Sequence, residues 1–384
     1  MNKEQKRIHF KFSYMQQLYK RWSAIFVLLA TTMIPRVQAQ ESNNNTINIT
    51  TTAVPFLRIS PDARSGGMGD VGIALSPDAN SGFYNLAKTP FATGKAGIGA
   101  TYTPWLKEIA DDVYLATLAG YYKVGENEAL SASLRYFSLG DLSLVDYNGN
   151  KLQTTNPREM AIDLGYSRKL SYKWAIGAAL RFINSNLSTG NMNGVSYKAG
   201  NTVAGDLSIF YNGLNDKSAG WTAGLSLSNL GGKISYTDNA DEKDFLPANL
   251  GIGAAYTEVW DDNNKMTFAA DVNKLLVPEL PGKAEDMKAY RDKGVFGSWF
   301  DSFGNHAWQF GFGMEYTYND LLHLRLGYNS KTYESGNWQT ITAGAGIQFN
   351  FATVNFSYLV PTGEKINRNP LTNTVRFGIL FGWR

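Results

Sequence analysis

The stretch Met160-Ala161-Ile162-Asp163-Leu164-Gly165-Tyr166 alternates large apolar residues with small or charged ones. An alternation with a period of two predicts a β-strand that has one apolar and one polar face. The only charge in the stretch, Asp163, falls on the polar face. The same pattern recurs along the chain, and we count fourteen such segments: 95–104, 112–124, 130–136, 160–166, 174–182, 203–211, 221–227, 250–256, 266–272, 308–316, 322–328, 341–349, 354–358 and 375–383.

The length and spacing of these segments predict a membrane barrel. Including their flanking residues, most reach the roughly 9–11 residues that a tilted strand needs to cross a bilayer, and single-chain bacterial barrels have an even number of strands. Short connections alternate with long ones, as expected for short periplasmic turns and long outer loops. A soluble sandwich gives no reason for this alternation. We therefore predict an all-β, transmembrane antiparallel barrel of about 14 strands over residues 95–384, in the outer membrane of a Gram-negative bacterium.

The charges inside the predicted strands support the assignment of faces. All eight lie on the polar face: Arg135, Asp163, Arg181, Asp206, Asp271, Glu315, Arg325 and Arg376. An Arg that faces lipid at mid-depth costs about 2–4 kcal/mol, so we expect a lumen charge network of four cations and four anions. Aromatic residues end many of the apolar faces, as in an interfacial girdle: Tyr136, Tyr166, Trp174, Tyr211, Trp221, Tyr256, Trp308, Tyr316 and Tyr358.

The N-terminus has the pattern of an export signal. Lys20 and Arg21 precede an apolar run from Ala24 to Ile34, and 37–39 (Val-Gln-Ala) fits the cleavage rule. We expect residues 1–39 to be a signal peptide. The alternative is a single anchoring helix, for which the apolar run is short. Translation from Met15 would give a signal of more ordinary length.

Two segments separate the signal from the barrel. Residues 40–52 are polar and are expected to be disordered. Residues 53–94 are too rich in Gly and Pro for a barrel strand. Because a 14-stranded lumen is too wide for wall side chains to fill, we expect this segment to fold inside it as a plug, with four residues pairing with the wall charges: Arg58, Asp62, Arg64 and Asp70. The alternative is a periplasmic linker.

Composition excludes several function classes. A formal net charge of +3 does not suggest a nucleic-acid partner, and the chain has no Cys. The predicted mature chain has two His residues, His306 and His323, which gives little basis for a metal site or for nucleophilic catalysis. The Gly-rich 64–69 lacks the Lys-Ser/Thr of a phosphate loop. We expect no enzyme activity, no cofactor and no metal.

Three stretches resemble a known family. Residues 61–70 (PDARSGGMGD), 76–81 (SPDANS) and 84–87 (YNLA) resemble the N-terminal signature of the PorV/PorQ group of the type IX secretion system, whose fold is FadL-like. The runs 246–253 and 294–303 are also similar to PorV proteins, so the resemblance extends over about Phe56 to Arg384. The C-terminal residues Gly378, Phe381 and Trp383 resemble the signal that barrel-assembly machinery reads, with the last aromatic one residue early.

The resemblance implies a shuttle function. PorV-like proteins bind the C-terminal domain of secreted cargo at the translocon barrel SprA (Sov). They deliver it to a complex of the PorU sortase, PorQ and PorZ, where the cargo is joined to lipopolysaccharide. The other expected partner is the outer-membrane lipid. The expected docking surface is the long loops 230–247 and 274–306, through six residues: Phe245, Leu246, Leu275, Leu276, Trp299 and Phe300. Alternatively, these residues pack on each other and cap the barrel.

Two other functions remain open from the sequence. A FadL-like transporter of hydrophobic small molecules needs an apolar path through the lumen, whereas the predicted inward positions are mostly small or charged. A porin needs an open lumen, against which residues 53–94 argue. A sealed lumen beneath apolar loops favours a shuttle, and an apolar tunnel with a gap in the wall favours a transporter.

Overall fold

The computed structural model describes residues 50–105, 112–145, 151–192, 195–238, 243–281, 283–332, 338–362 and 374–383. The predicted signal peptide, residues 1–39, lies outside the described residues. So do Arg384 and residues 40–49 of the predicted disordered segment.

Fourteen antiparallel strands close into a barrel, as the sequence predicts. Numbered along the whole chain, the first seven are β1 (Ala96–Pro104), β2 (Val113–Lys123), β3 (Glu128–Leu139), β6 (Arg158–Lys169), β7 (Trp174–Asn186), β10 (Gly200–Asn212) and β11 (Gly220–Gly231). The second seven are β12 (Asn249–Val259), β13 (Asn264–Leu275), β14 (Trp308–Tyr318), β15 (Leu322–Lys331), β16 (Gln339–Phe349), β17 (Ala352–Pro361) and β18 (Val375–Trp383).

The last strand closes the barrel against the first. In register, β18 pairs with β1 from Ala96–Trp383 to Tyr102–Phe377. A strand with an unpaired edge in lipid would leave backbone donors and acceptors without partners, at several kcal/mol each. Closure on the C-terminal strand removes that edge and places Gly378, Phe381 and Trp383 in a paired strand.

Side chains alternate between lumen and lipid along each strand. In β7, for example, Leu180 is 76% exposed on the outer face, whereas its neighbour Arg181 is buried inside. Aromatic rings form pairs on the outer face at the short-turn end, such as Trp174 with Tyr211, whose ring centroids are 4.9 Å apart. The predicted girdle is present at these positions.

The long loops carry structure that the sequence did not predict. Two hairpins extend from them, formed by β4 (Leu142–Val145) with β5 (Lys151–Thr155) and by β8 (Gly190–Met192) with β9 (Val195–Tyr197). The loop between β13 and β14 forms α2 (Met287–Asp292) and α3 (Val295–Asp301), with short 3-10 turns at Ala284–Asp286 and Ser302–Gly304.

The segment before the barrel has little regular structure. It contains a one-turn helix, α1 (Ala63–Gly66), and 3-10 turns at Pro55–Arg58, Ser81–Phe83 and Leu86–Phe91. Asp62 caps α1 by accepting a hydrogen bond from the backbone N–H of Ser65 at 2.8 Å. None of the helices in the described part of the chain combines the length and the apolar character needed to cross a membrane.

The position of Leu180 on the lipid-facing surface predicts how a charge there changes the stability of the barrel. Leu180→Arg places a cation in the middle of the lipid-facing surface, so we expect the free energy of unfolding in bilayers to fall by about 2–4 kcal/mol. Leu180→Phe, which keeps the position apolar, is the matched control. Urea unfolding of the protein refolded into vesicles measures both, and an unchanged free energy for the Arg variant would show that position 180 does not face lipid.

Candidate functional site

Residues 53–94 contact inward-facing side chains on strands around the barrel, which places this segment in the lumen. The wall donates to backbone carbonyls of the segment from Thr117 (to Pro61, 2.8 Å), Thr222 (to Ala74, 2.7 Å) and Asn329 (to Gly69, 3.0 Å). It also accepts from backbone N–H groups, and Asp271 Oδ2 receives two of them, from Gly72 at 2.7 Å and Ile73 at 3.0 Å. The segment is thus hydrogen-bonded to strands on several sides of the barrel.

Interacting charged side chains in the lumen form two groups, and the first group joins this segment to the wall. Glu315 accepts from Arg64 through both carboxylate oxygens, at 2.8 and 3.2 Å, and from Arg325 Nε at 2.6 Å. Arg64 also reaches Asp78 at 3.2 Å, and Arg325 donates to Asn355 at 2.8 Å. Apart from Asp78, whose side chain is 26% exposed, these side chains are buried or nearly so. The pairing with Arg64 offsets part of the cost of burying two wall charges.

The second group links four neighbouring strands. Arg181 on β7 donates to Asp163 on β6 and, at 2.8 Å, to Asp206 on β10. It also donates to Asn229 on β11, where the β10–β11 register shifts and Asn229 adopts a positive φ of 57°. The backbone N–H of Asn229 is held by Asp206 at 2.8 Å. This ion-pair network supports the wall where regular strand pairing is interrupted.

The other wall cations have different partners. Arg135 donates to the carbonyl of Leu57 at 2.9 Å and lies 4.7 Å from the ring centroid of Phe83. Arg376 is fully buried and lies 3.8 Å from Asp70. All eight predicted wall charges therefore lie in the lumen, and the luminal segment contacts four of them: Arg135, Asp271, Glu315 and Arg376.

The four charged residues of the segment that were predicted to pair with the wall differ in their contacts. Arg64 and Asp70 approach wall charges, whereas Asp62 caps α1. The structure buries Arg58, and this desolvation lowers its pKa to about 10. Sequence reasoning missed Lys88, whose Nζ donates to the carbonyl of Gly72 at 2.6 Å; burial lowers the pKa of Lys88 to about 8.

Glycines allow the backbone of the segment to touch the wall. Gly69 has a φ of +72°, and a side chain there would overlap the backbone at Phe312 and Tyr328. On the wall, a Cβ at Gly327 or Gly313 would overlap the backbone at Met68 and Gly69. Contacts of this kind explain why the Gly66–Gly69 run is required, which composition alone does not show.

A small cavity with a mixed lining remains in the lumen. Its volume is about 120 Å³, and apolar side chains such as Leu57, Ile73 and Phe83 share its lining with four charged residues: Arg58, Asp70, Arg135 and Asp271. The charged groups interrupt the apolar part of the lining, so the cavity is not a continuous apolar path. It also has no room for a protein segment.

Four of the six residues predicted to dock cargo are buried. Phe245 and Leu275 pack with Val277, Tyr290 and Ala307. Leu246 packs against Phe56 and Leu57 of the luminal segment, and Leu276 is also buried. In this structure these four side chains are not on the loop surface, because their apolar area is buried inside the loops or against the luminal segment.

The exposed apolar surface lies further along the same loop. Phe300, which the sequence singled out, is 64% exposed, and Phe296 and Phe303, which it missed, are 69% and 54% exposed. Trp299 is half-buried, and its ring centroid lies 5.7 Å from that of Phe296. We call Phe296, Trp299, Phe300 and Phe303 the aromatic patch.

Lys233, in the β11–β12 loop, contacts the chain immediately before α3. Lys233 Nζ donates to the carbonyls of Arg291 and Lys293, the latter at 2.6 Å, at the end of α2. The same ammonium lies 4.3 Å from the ring centroid of Phe245. Tyr290 of α2 meets the edge of Phe245 at 5.4 Å. The end of α2, which leads directly into α3 and the aromatic patch, is therefore fixed to the β11–β12 loop.

The two histidines do not form a reactive centre. His323 Nδ1 forms a hydrogen bond with Thr317 Oγ1 at 3.0 Å inside the barrel, and His306 lies in the β13–β14 loop. Within the described ranges, no three His, Asp or Glu side chains are grouped so that they could hold a metal ion.

Comparison with known families decides the identity. The family described as "Type IX secretion system protein PorV" matches residues 40–282, more than half of the chain. The chain belongs to the PorV family. It is therefore an outer-membrane component of the type IX secretion system, and neither this family nor the shared fold is that of an enzyme. No curated protein sequence matches this PorV-family chain.

Solved structures share the fold at low sequence identity. The toluene transporter TodX of P. putida matches with a TM-score of 0.56 at 14% identity, over 84% of this chain and 98% of TodX. The toluene transporter TbuX of Ralstonia pickettii matches with a TM-score of 0.52 at 12% identity, over 84% and 98%. A FadL homologue of Pseudomonas aeruginosa matches with a TM-score of 0.47 at 10% identity, over 88% and 100%. The predicted FadL-like outer-membrane fold is confirmed.

The close contacts at the glycines predict that a larger residue displaces the luminal segment. Gly327→Ala forces the wall against the backbone of Met68 and Gly69, so we expect the luminal segment to shift and the chain between residues 53 and 94 to become sensitive to protease. Gly382→Ala, at a glycine where an added Cβ meets nothing within 4 Å, is the matched control. Limited proteolysis followed by mass spectrometry measures the cleavage, and equal resistance of both variants would contradict the close approach.

Proposed function

We propose that this protein is a cargo shuttle: it binds the C-terminal domain of secreted proteins and presents them to the attachment complex at the cell surface. The observation that carries the proposal is the aromatic patch on α3 and the turn after it. Three of its rings are more than half exposed, and Val295 at the start of α3 packs against the buried cluster around Phe245 and Tyr290. An exposed aromatic patch on a rigid support is typical of a protein-binding site.

The lumen supports docking from outside and not passage through the barrel. Residues 53–94 are hydrogen-bonded and ion-paired to the wall, and we propose that they act as a permanent plug. The charged cavity beside them, of about 120 Å³, cannot pass a protein chain. Cargo would therefore meet the barrel at its long-loop end, where the aromatic patch lies.

Family membership suggests the partners. We propose that cargo is received from a translocon barrel of the SprA/Sov type. It would then be handed to the PorU sortase with PorQ and PorZ, so that it is joined to lipopolysaccharide. The aromatic patch would contact the cargo domain, and the lysine contact from Lys233 would keep the patch in a binding-competent position.

Removing the patch is expected to weaken cargo binding. Phe296→Ser combined with Phe300→Ser removes two anchors, so we expect the affinity for a purified cargo C-terminal domain to fall at least about tenfold. Leu142→Ser, which changes an apolar side chain of similar exposure on the β4–β5 hairpin, is the control. Surface plasmon resonance on the detergent-solubilised protein measures both, and equal loss in the two variants would argue against a role for the patch.

A pull-down tests the function as a whole. We expect the tagged protein, isolated in detergent from native outer membranes, to bring down a very large barrel, a sortase and proteins that share one C-terminal domain. Mass spectrometry identifies them. Recovery of the barrel alone with a bound lipophile would contradict the shuttle and favour the transporter function.

A further inference from the structure

Charges at the short-turn end of the barrel are separated into two sectors. Five cations lie on the contiguous strands β1, β2, β3, β6 and β7, with only two acids, Glu126 and Glu128, among them. We call these cations the basic rim sector: Lys95, Lys123, Arg168, Lys169 and Lys173. Almost opposite in the ring, the turns after β12 and β14 carry Glu258, Asp261, Asp262 and Asp320, with Lys265 as their cation.

Two lysines of the basic rim sector, Lys123 and Lys169, contact the luminal segment. Lys123 Nζ donates to the carbonyl of Ala92 at 2.8 Å, and Lys169 lies 4.9 Å from the ring centroid of Phe91. The other three cations are more accessible: Lys95 and Arg168 are exposed and Lys173 is half-buried. Arg168 also pairs with Glu128 at 3.4 Å, a surface contact that leaves 59% of the Arg168 side chain exposed.

Outward aromatic residues accompany these three cations. Lys95 Nζ lies 5.6 Å from the ring centroid of Tyr122, and Lys173 Nζ lies 5.4 Å from that of Tyr172. Tyr122, Tyr166 and Trp174 belong to the lipid-facing surface and are each about half exposed. Cations beside such a girdle lie at the level of lipid head groups.

The β6–β7 turn extends this surface with an apolar tip. Tyr172 is 82% exposed and Leu170 is 62% exposed, between Lys169 and Lys173. Apolar residues flanked by cations are the arrangement by which interfacial segments enter the boundary between head groups and acyl chains. In the acidic sector, Lys265 stands beside four acids and pairs with Asp320 at 2.5 Å, so a comparable group of cations is not formed there.

We propose that the basic rim sector binds the head groups of anionic phospholipids. Short turns of outer-membrane barrels face the periplasm, so the lipids belong to the inner leaflet. Lys95, Arg168 and Lys173 contact the phosphates, the girdle tyrosines contact the glycerol and upper acyl region, and the acidic sector repels the same lipids. The sector thereby gives the barrel one preferred side for anionic lipid. This inference does not depend on the proposed shuttle function.

Native mass spectrometry of the purified full-length protein in nonionic detergent tests the proposal. The probes are phosphatidylglycerol and phosphatidylcholine with identical acyl chains. We expect the wild-type protein to prefer phosphatidylglycerol. The triple variant Lys95→Gln, Arg168→Gln, Lys173→Gln should lose affinity for it about tenfold or more, with phosphatidylcholine binding unchanged. The preference should also weaken as salt is added.

Lys265→Gln is the matched control, because it removes a short-turn cation from the opposite sector, and it should leave phosphatidylglycerol binding unchanged. Thermal unfolding checks that all variants fold. Equal binding of the two lipids by the wild-type protein would overturn the proposal, as would unaltered phosphatidylglycerol binding by the triple variant. Preferential binding of a polyglutamate peptide, without any preference between the lipids, would also overturn it and point to an acidic protein partner.

Discussion

The contact of Glu315 with Arg64 and Arg325 is the interaction on which the rest of the structure depends. A carboxylate and a guanidinium from the wall are buried in the lumen, and a second guanidinium is brought by the segment before the barrel. Removing one member of such a buried group typically costs about 3–5 kcal/mol. The wall charges thus contribute to the position of the luminal segment. In the function that we propose, this segment keeps the lumen closed and cargo binds on the outer loops.

The barrel was predictable because lipid imposes a simple rule on every strand. An inward position accepts Asp163 or Arg181, whereas the next position must be apolar, so period-two patterning identified fourteen strands and their faces. Backbone closure in lipid made the C-terminal strand the partner of the first. The PorV-like signature lies in the luminal segment, where glycines such as Gly69 bring the backbone into close contact with the wall.

The candidate docking surface was less predictable, because exposure in a loop depends on tertiary packing. Phe245, Leu246 and Leu275 are as apolar as the residues of the aromatic patch, but they pack with Tyr290 and Ala307 or with the luminal segment. Leu276 is also buried. The helices α2 and α3 are one to two turns long, which is too short for a periodic signal. Charge patterning around the short turns was likewise visible only when the strands were arranged in a ring, since its members are dispersed along the sequence.

Locking the luminal segment to the wall tests the central claim most directly. A Cβ added at Gly378 would lie 3.4 Å from the Cβ of Ala63, close to the separation that a disulfide requires, and the chain has no other cysteine. The variant Ala63→Cys, Gly378→Cys should therefore form a bond between α1 and β18. The account predicts that cells carrying the oxidised variant secrete a reporter with a cargo C-terminal domain as well as the wild type does. Loss of secretion that is restored by a reducing agent would contradict it, because the segment would then have to move for function.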